Sequence, residues 1–243
     1  IPFITCGDPD INTTKEIIRE MVKNGADIIE LGIPFSDPTA EGPVIQEANE
    51  RALSGKVTTD DVFEMVKELR KEIQIPFVFM TYANVVFSYG TEEFLKKAKE
   101  SLMDGLILPD VPYEEKEDFL DTCDKYGIDL ISLIAPTSKD RIRMIAKEAK
   151  GFLYCVSSLG VTGTRSEIST DLSSMIELVR EVNEDIPCAI GFGISNPAQA
   201  AKMAEISDGV IVGSAIVKKI AQYKTDAPEK VGAFVKEMVE AIR

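Results

Sequence analysis

Histidine is absent from all 243 residues, and that zero excludes much. Without an imidazole there is no Ser-His-Asp or Cys-His couple, no His general base and no zinc site built on His ligands. Cysteine is scarce: Cys6, Cys123, Cys155 and Cys188 are far apart and form no C-x-x-C pair. Cys6, Cys155 and Cys188 fall in or beside apolar runs, where a free thiol acts as a small buried hydrophobe. A reducing compartment is therefore expected, and with it a cytoplasmic chain. Positive charge is in deficit, since 27 Lys and Arg against 41 Asp and Glu leave a net charge of −14. So acidic a surface repels phosphate backbones and anionic lipid, which argues against nucleic acid and membrane as partners. No run approaches the ~18 consecutive apolar residues of a membrane span, and no signal peptide is visible. The chain opens on Ile1, not Met, straight into an apolar run, so residues are expected to be missing from its front.

What is present suffices for a full-sized core. Hydrophobic residues make up 44% and charged residues 28%, a globular composition. Short runs rich in Ile, Val, Leu and Phe at 1–5, 27–31, 76–80, 105–108, 129–134, 151–156, 188–191 and 209–212 read as strands. Amphipathic stretches lie between them at 13–24, 59–72, 91–101, 114–125, 139–150, 172–182 and 197–205, and 229–242 closes the chain. Thr-Thr-Lys-Glu from Thr13 and Thr-Thr-Asp-Asp from Thr58 read as helix starts. Nearly continuous apolar strands alternating with helices predict a parallel sheet covered on its outside. Eight units at about 30 residues each keep the pace of a (β/α)8 barrel, one domain over 1–243, with a doubly wound sheet as the rival.

In a parallel barrel, chemistry collects at the C-terminal strand ends. Three features there exceed what loops enrich anyway. Glu30 sits inside an apolar strand; either it meets water at the strand end, or burial raises its pKa and suits it to give and take a proton near neutral pH. The last three strand ends carry Gly160-Val-Thr-Gly163, Gly191-Phe-Gly193 and Gly213-Ser214. Those glycines either serve turns or let backbone amides close on an anion, and Gly213-Ser214 would open a short helix whose N-terminus favours phosphate. Third, the long loop from Pro34 to Pro43 carries Asp37 and Glu41, placing a second carboxylate where it could face the same substrate. The pattern points to a phosphate-bearing small molecule worked on by carboxylates, without His and without metal.

The strings themselves add more. Glu30-Leu-Gly-Ile-Pro-Phe-Ser-Asp-Pro-x-Ala-x-Gly-Pro43, with Gly7-Asp-Pro9, Tyr82-Ala-Asn84, Pro109-Asp-Val-Pro112, Gly160-Val-Thr-Gly163, Gly191-Phe-Gly-Ile-Ser195 and Gly213-Ser-Ala-Ile-Val217, resembles the tryptophan synthase α-subunit family, string by string in family order. The resemblance implies a TIM barrel and a carbon–carbon lyase of tryptophan biosynthesis. Its reaction is retro-aldol cleavage of indole-3-glycerol phosphate to indole and glyceraldehyde 3-phosphate. Position by position, it implies Glu30 as the acid/base at the indole ring carbon, Glu41 as acceptor of a hydrogen bond from the indole N–H, and Tyr154 near the reacting glycerol. Gly163, Gly193, Gly213 and Ser214 match the phosphate site. Phe3, Met80, Ile107 and Phe192 match the apolar slot for the ring, although such residues serve equally well as plain core.

The family usually has Asp where Glu41 stands, and Glu41 is read as a functional substitute one methylene longer. The helix that family members carry before the first strand is lacking. The resemblance also implies no cofactor in this chain and a pyridoxal-phosphate β subunit as partner, to which indole is passed in an αββα heterotetramer. Residues 34–43 and 82–84 would face that partner and the substrate. The Gly, Ser and Thr content of 157–167 predicts a lid, with Thr162 meeting Glu41 on closure. Two other functions compete. One is a different phosphate-binding barrel, such as a sugar-phosphate isomerase; many of those use His or paired Asp at strands 1 and 5, and the first strand here ends in Thr5-Cys6. The other is a non-enzymatic chain acting mainly as an activator of its β partner.

Overall fold

The computed structural model describes residues 1–157, 172–191 and 193–243. Its strands are β1 (Phe3–Thr5), β2 (Ile29–Gly32), β3 (Phe77–Met80), β4 (Gly105–Ile107), β5 (Asp129–Leu130), β6 (Leu133–Ile134), β7 (Leu153–Val156), β8 (Cys188–Gly191) and β9 (Gly209–Val210). Strands β1 to β5 pair in chain order, as do β6 to β9, and every pairing is parallel. The run 129–134, expected as one strand, is thus two short pieces. They still form one stave: Ile131 N donates to Leu106 O at 2.9 Å on one side, and Tyr154 N donates to Ser132 O at 3.0 Å on the other. The ring closes where Pro2 bridges Val212 and Phe3 N donates to Val212 O at 2.9 Å. Closure excludes the doubly wound sheet and defines a (β/α)8 barrel.

The helices are α1 (Ile11–Lys23), α2 (Pro43–Ser54), α3 (Thr59–Leu69), α4 (Ala83–Tyr89), α5 (Thr91–Glu100), α6 (Glu117–Tyr126), α7 (Lys139–Lys147), α8 (Leu172–Arg180), α9 (Pro197–Ala204), α10 (Ser214–Tyr223) and α11 (Ala227–Ile242). Thr58 caps α3 in a reciprocal box with Asp61, as its string predicts. The Thr13 start is corrected: α1 begins at Ile11, because the Asp10 carboxylate takes the cap and accepts from Thr13 N at 2.8 Å. Among the described residues no helix is long and apolar enough to cross a membrane.

Strand alternation divides the apolar residues into two layers. Ile4, Leu31, Phe79, Leu106, Cys155 and Ile190 face outward beneath the helices, while Phe3, Val78, Met80, Ile107, Tyr154 and Ala189 face into the barrel. In the outer layer Phe63 of α3 meets Phe79 of β3 edge-on at 5.6 Å between ring centroids and Phe94 of α5 at 5.3 Å. Such contacts add to area burial and fasten both helices to the third stave. All four cysteines are buried and unbridged.

Candidate active site

Register puts Glu30 inside the barrel. Strand β2 pairs Glu30 with Phe3 on one side and Val78 on the other, both inward-facing, so its side chain shares their parity. Glu30 is 0% exposed, and neither carboxyl oxygen has a hydrogen-bond partner among the described residues. A carboxyl so buried resists ionising: burial pushes its pKa up to about 8, with the Ile1 ammonium working against this and the charge of Glu41 adding to it. At neutral pH it is mostly the acid and one step from being the base.

Glu41 comes from the loop between β2 and α2, just before the Gly42-Pro43 start of the helix. The loop is tied at this point by Gln46 Nε2, which donates to Glu41 O at 2.8 Å. Tyr82 Oη donates to Glu41 Oε2 and accepts from Ala40 N at 2.9 Å. Burial pushes the Glu41 pKa up to about 7; a hydrogen bond from its own backbone N–H works against this, and Asp110 adds to it. Tyr154 projects inward from β7, and burial together with Glu30 and Glu41 raises its pKa well above the ordinary value, so the phenol keeps its proton. Its ring fits because position 191 is glycine: a Cβ there would stand 2.6 Å from Tyr154 Cε1.

These groups line one cavity, about 460 Å³ including the part open to solvent. Phe3, Glu30, Glu41, Met80, Tyr154, Gly193, Gly213 and Ser214, all candidates from the sequence, lie on its wall. Ser214 is the first residue of α10, so a helix N-terminus opens on the cavity. Ile107 is fully buried in the interior cluster and does not belong to the cavity wall. Thr162, Gly163 and Phe192 lie outside the described residues, as does the expected lid beyond Ser157. Sequence reasoning did not single out Ile45, Ile194 and Ile211 on the wall, and it placed Tyr82 near the substrate without foreseeing its bond to Glu41. Ile211 could have been found from the inward parity of Gly209 on the last stave; Ile45 sits on a helix that the apolar pattern did not reveal. Among the described residues no group of three or more His, Cys, Asp or Glu is placed to hold a metal ion.

A larger cleft, about 810 Å³, opens beside β6 and α7. Its two cations, Lys116 and Arg141, are already paired with Glu148 and Glu114. That cleft has no counterpart to the unpartnered acid of the barrel interior.

Fold and cavity together define a (β/α)8 barrel with two buried carboxylates in a partly apolar slot. The chain belongs to the tryptophan synthase alpha chain family, whose model matches residues 1–243. A tryptophan synthase alpha chain of Thermoanaerobacter sp. (strain X514) is 48% identical over 244 residues, covering 100% of this chain and 93% of the relative. The crystal structure of tryptophan synthase subunit alpha from Legionella pneumophila str. Paris superposes with a TM-score of 0.88 at 38% identity, covering 99% of this chain and 91% of that one. A chain of the tryptophan synthase a2b2 complex of Pyrococcus furiosus gives a TM-score of 0.90 at 34% identity, covering 98% and 96%.

Proposed function

We propose that the cavity at the mouth of the barrel cleaves indole-3-glycerol phosphate to indole and glyceraldehyde 3-phosphate, with Glu30 as proton donor and acceptor. The neutral Glu30 carboxyl gives its proton to the ring carbon that bears the glycerol chain. The ring then carries positive charge at nitrogen, and the Glu41 carboxylate, accepting the N–H, stabilises it. As the carbon–carbon bond breaks, its electron pair restores the aromatic ring, and the adjacent glycerol hydroxyl becomes the aldehyde by losing its proton. Glu30 takes that proton back, so the cycle ends with the acid restored and no net proton change. Tyr154, protonated throughout, stands as a hydrogen-bond donor near the reacting glycerol. The amides at Gly193, Gly213 and Ser214 suit the phosphate, while Phe3 and Met80 suit the ring.

One observation carries this reading: Glu30 is wholly buried, has no hydrogen-bond partner among the described residues, and faces a cavity that also receives a helix N-terminus. No step needs a cofactor in this chain. The partner that fits is a tryptophan synthase β subunit, which holds pyridoxal phosphate and receives the indole. Four unbridged buried thiols suit a cytoplasmic home.

The test is Glu30→Gln, assayed for cleavage alone and with the β subunit, and for binding of glycerol 3-phosphate by calorimetry. Cleavage is expected to fall below a few per cent of the parent rate in both settings while binding survives. Retention of more than that removes Glu30 from the mechanism. A parent chain inert in both settings leaves only the activator role.

A further inference from the structure

The loop that delivers Glu41 is held from the neighbouring stave by one aromatic side chain. Tyr82 follows β3, caps α4 through its backbone, and accepts there from Val85 N at 3.0 Å and Val86 N at 3.3 Å. Its anchorage is therefore rigid framework. Its side chain is 3% exposed, and its ring packs on Phe35 with 5.3 Å between centroids. The hydroxyl then makes two bonds to consecutive residues of the loop, accepting from Ala40 N at 2.9 Å and donating to Glu41 Oε2. Ring, backbone and carboxylate are thus fixed by one residue.

We infer that Tyr82 is a positioning residue for the cleavage reaction: it sets where the Glu41 carboxylate stands against the ring nitrogen and restrains the extra methylene of the longer side chain. This rests on the role proposed for Glu41. The physical reason is the arm itself. Glu has one more rotatable bond than Asp, and a displacement on the order of 1 Å at a catalytic group costs up to ~100-fold in rate. A phenol donating to the carboxylate removes that freedom. It also favours the charged form, the form that must meet the developing cation. The other titratable groups that act on Glu41 or feel its charge are Asp110, which opposes its charge, and Glu30 and Tyr154, each of which responds to it. Tyr82 is the neutral donor set against that negative neighbourhood.

The experiment compares Tyr82→Phe, Glu41→Gln and the double variant by steady-state cleavage across pH. Tyr82→Phe keeps the ring on Phe35, so fold is retained, and urea unfolding verifies it. Expected for Tyr82→Phe are a kcat lower by ~10-fold to ~100-fold and a KM within about threefold of the parent. The ascending limb of kcat/KM should move upward by about one pH unit. In the Glu41→Gln background the same hydroxyl deletion should change kcat less than about twofold, because Tyr82 acts only through Glu41. A parent-like kcat, an unmoved limb, or an equal loss in both backgrounds overturns the inference. Full cleavage by Glu41→Gln overturns instead the role of Glu41 itself.

Discussion

The proposed reaction requires opposite things of Glu30 and Glu41. It needs one to hold its proton and the other to have lost it, yet both sit in a cavity that disfavours charge. Burial acts on both, and its extent separates them: Glu30 is 0% exposed with a pKa near 8, and Glu41 is 6% exposed with a pKa near 7. Between those values Glu41 is mostly ionised while Glu30 is mostly protonated. The pH profile of kcat/KM should therefore be a narrow bell, rising as Glu41 deprotonates near 7 and falling as Glu30 deprotonates near 8. Initial rates from about pH 5.5 to 9.5 check it, and a flat profile across that range contradicts the assignment. Glu30 was legible from sequence because a carboxylate inside an apolar strand breaks the pattern around it. Glu41 was one of two loop carboxylates that the residues offered, and only the resemblance chose it over Asp37. Tyr82 was visible only as part of a family string, because a tyrosine at a strand end looks the same whether it packs or positions.

At the scale of elements, the loop chemistry depends on how α2 is moored. Asp8, in the turn after β1, is 1% exposed, and Arg51 of α2 grips it with two 2.8 Å hydrogen bonds, Nε to Oδ1 and Nη2 to Oδ2. Arg51 keeps a third of its side chain in water, so the pair is half a buried bridge. Arg51→Met would leave the Asp8 carboxylate buried and unpaired, and should cost about 2–3 kcal/mol, read as a lower urea midpoint at unchanged m. A loss under about 0.5 kcal/mol would class the pair with surface bridges. The moored helix is also one that the apolar pattern hid. Its buried face is Ile45, Ala48, Asn49 and Ala52, with no side-chain cap at Gly42, so neither periodicity nor capping announces it. Helix α4 was missed for a similar reason, being 7 residues long with no side-chain cap. The strands were legible because both faces of each stave are buried, one against helices and one inside the ring, leaving uninterrupted apolar runs. The break between β5 and β6 was not, since Ile131 and Ser132 still bond to both neighbours.

For the molecule as a whole, the site is a debt carried by the outer layer. An acid that is neutral when folded near pH 7 ionises freely once the chain unfolds, with an ordinary pKa of 4.5 against about 8 in the barrel. Between those values the folded state binds a proton that the unfolded state has released. Stability therefore falls as pH rises, by up to ~1.4 kcal/mol per pH unit, and the effect vanishes below the unfolded value. Glu41 adds a smaller contribution of the same sign, ending near 7. Glu30→Met removes the larger one, filling the interior with an apolar chain beside Phe3, Val78 and Met80. The variant should be inactive and more stable than the parent, by about 2–4 kcal/mol at pH 8. The gain should shrink steadily toward pH 5, where what remains is the cost of a buried, unbonded neutral carboxyl. Urea unfolding at pH 5, 6.5 and 8 measures it. The decisive quantity is the difference between variant and parent, from which the burial of Glu41 cancels and only its coupling to Glu30 remains. A gain that stays constant with pH would mean that Glu30 titrates alike in folded and unfolded chains, which contradicts its complete burial.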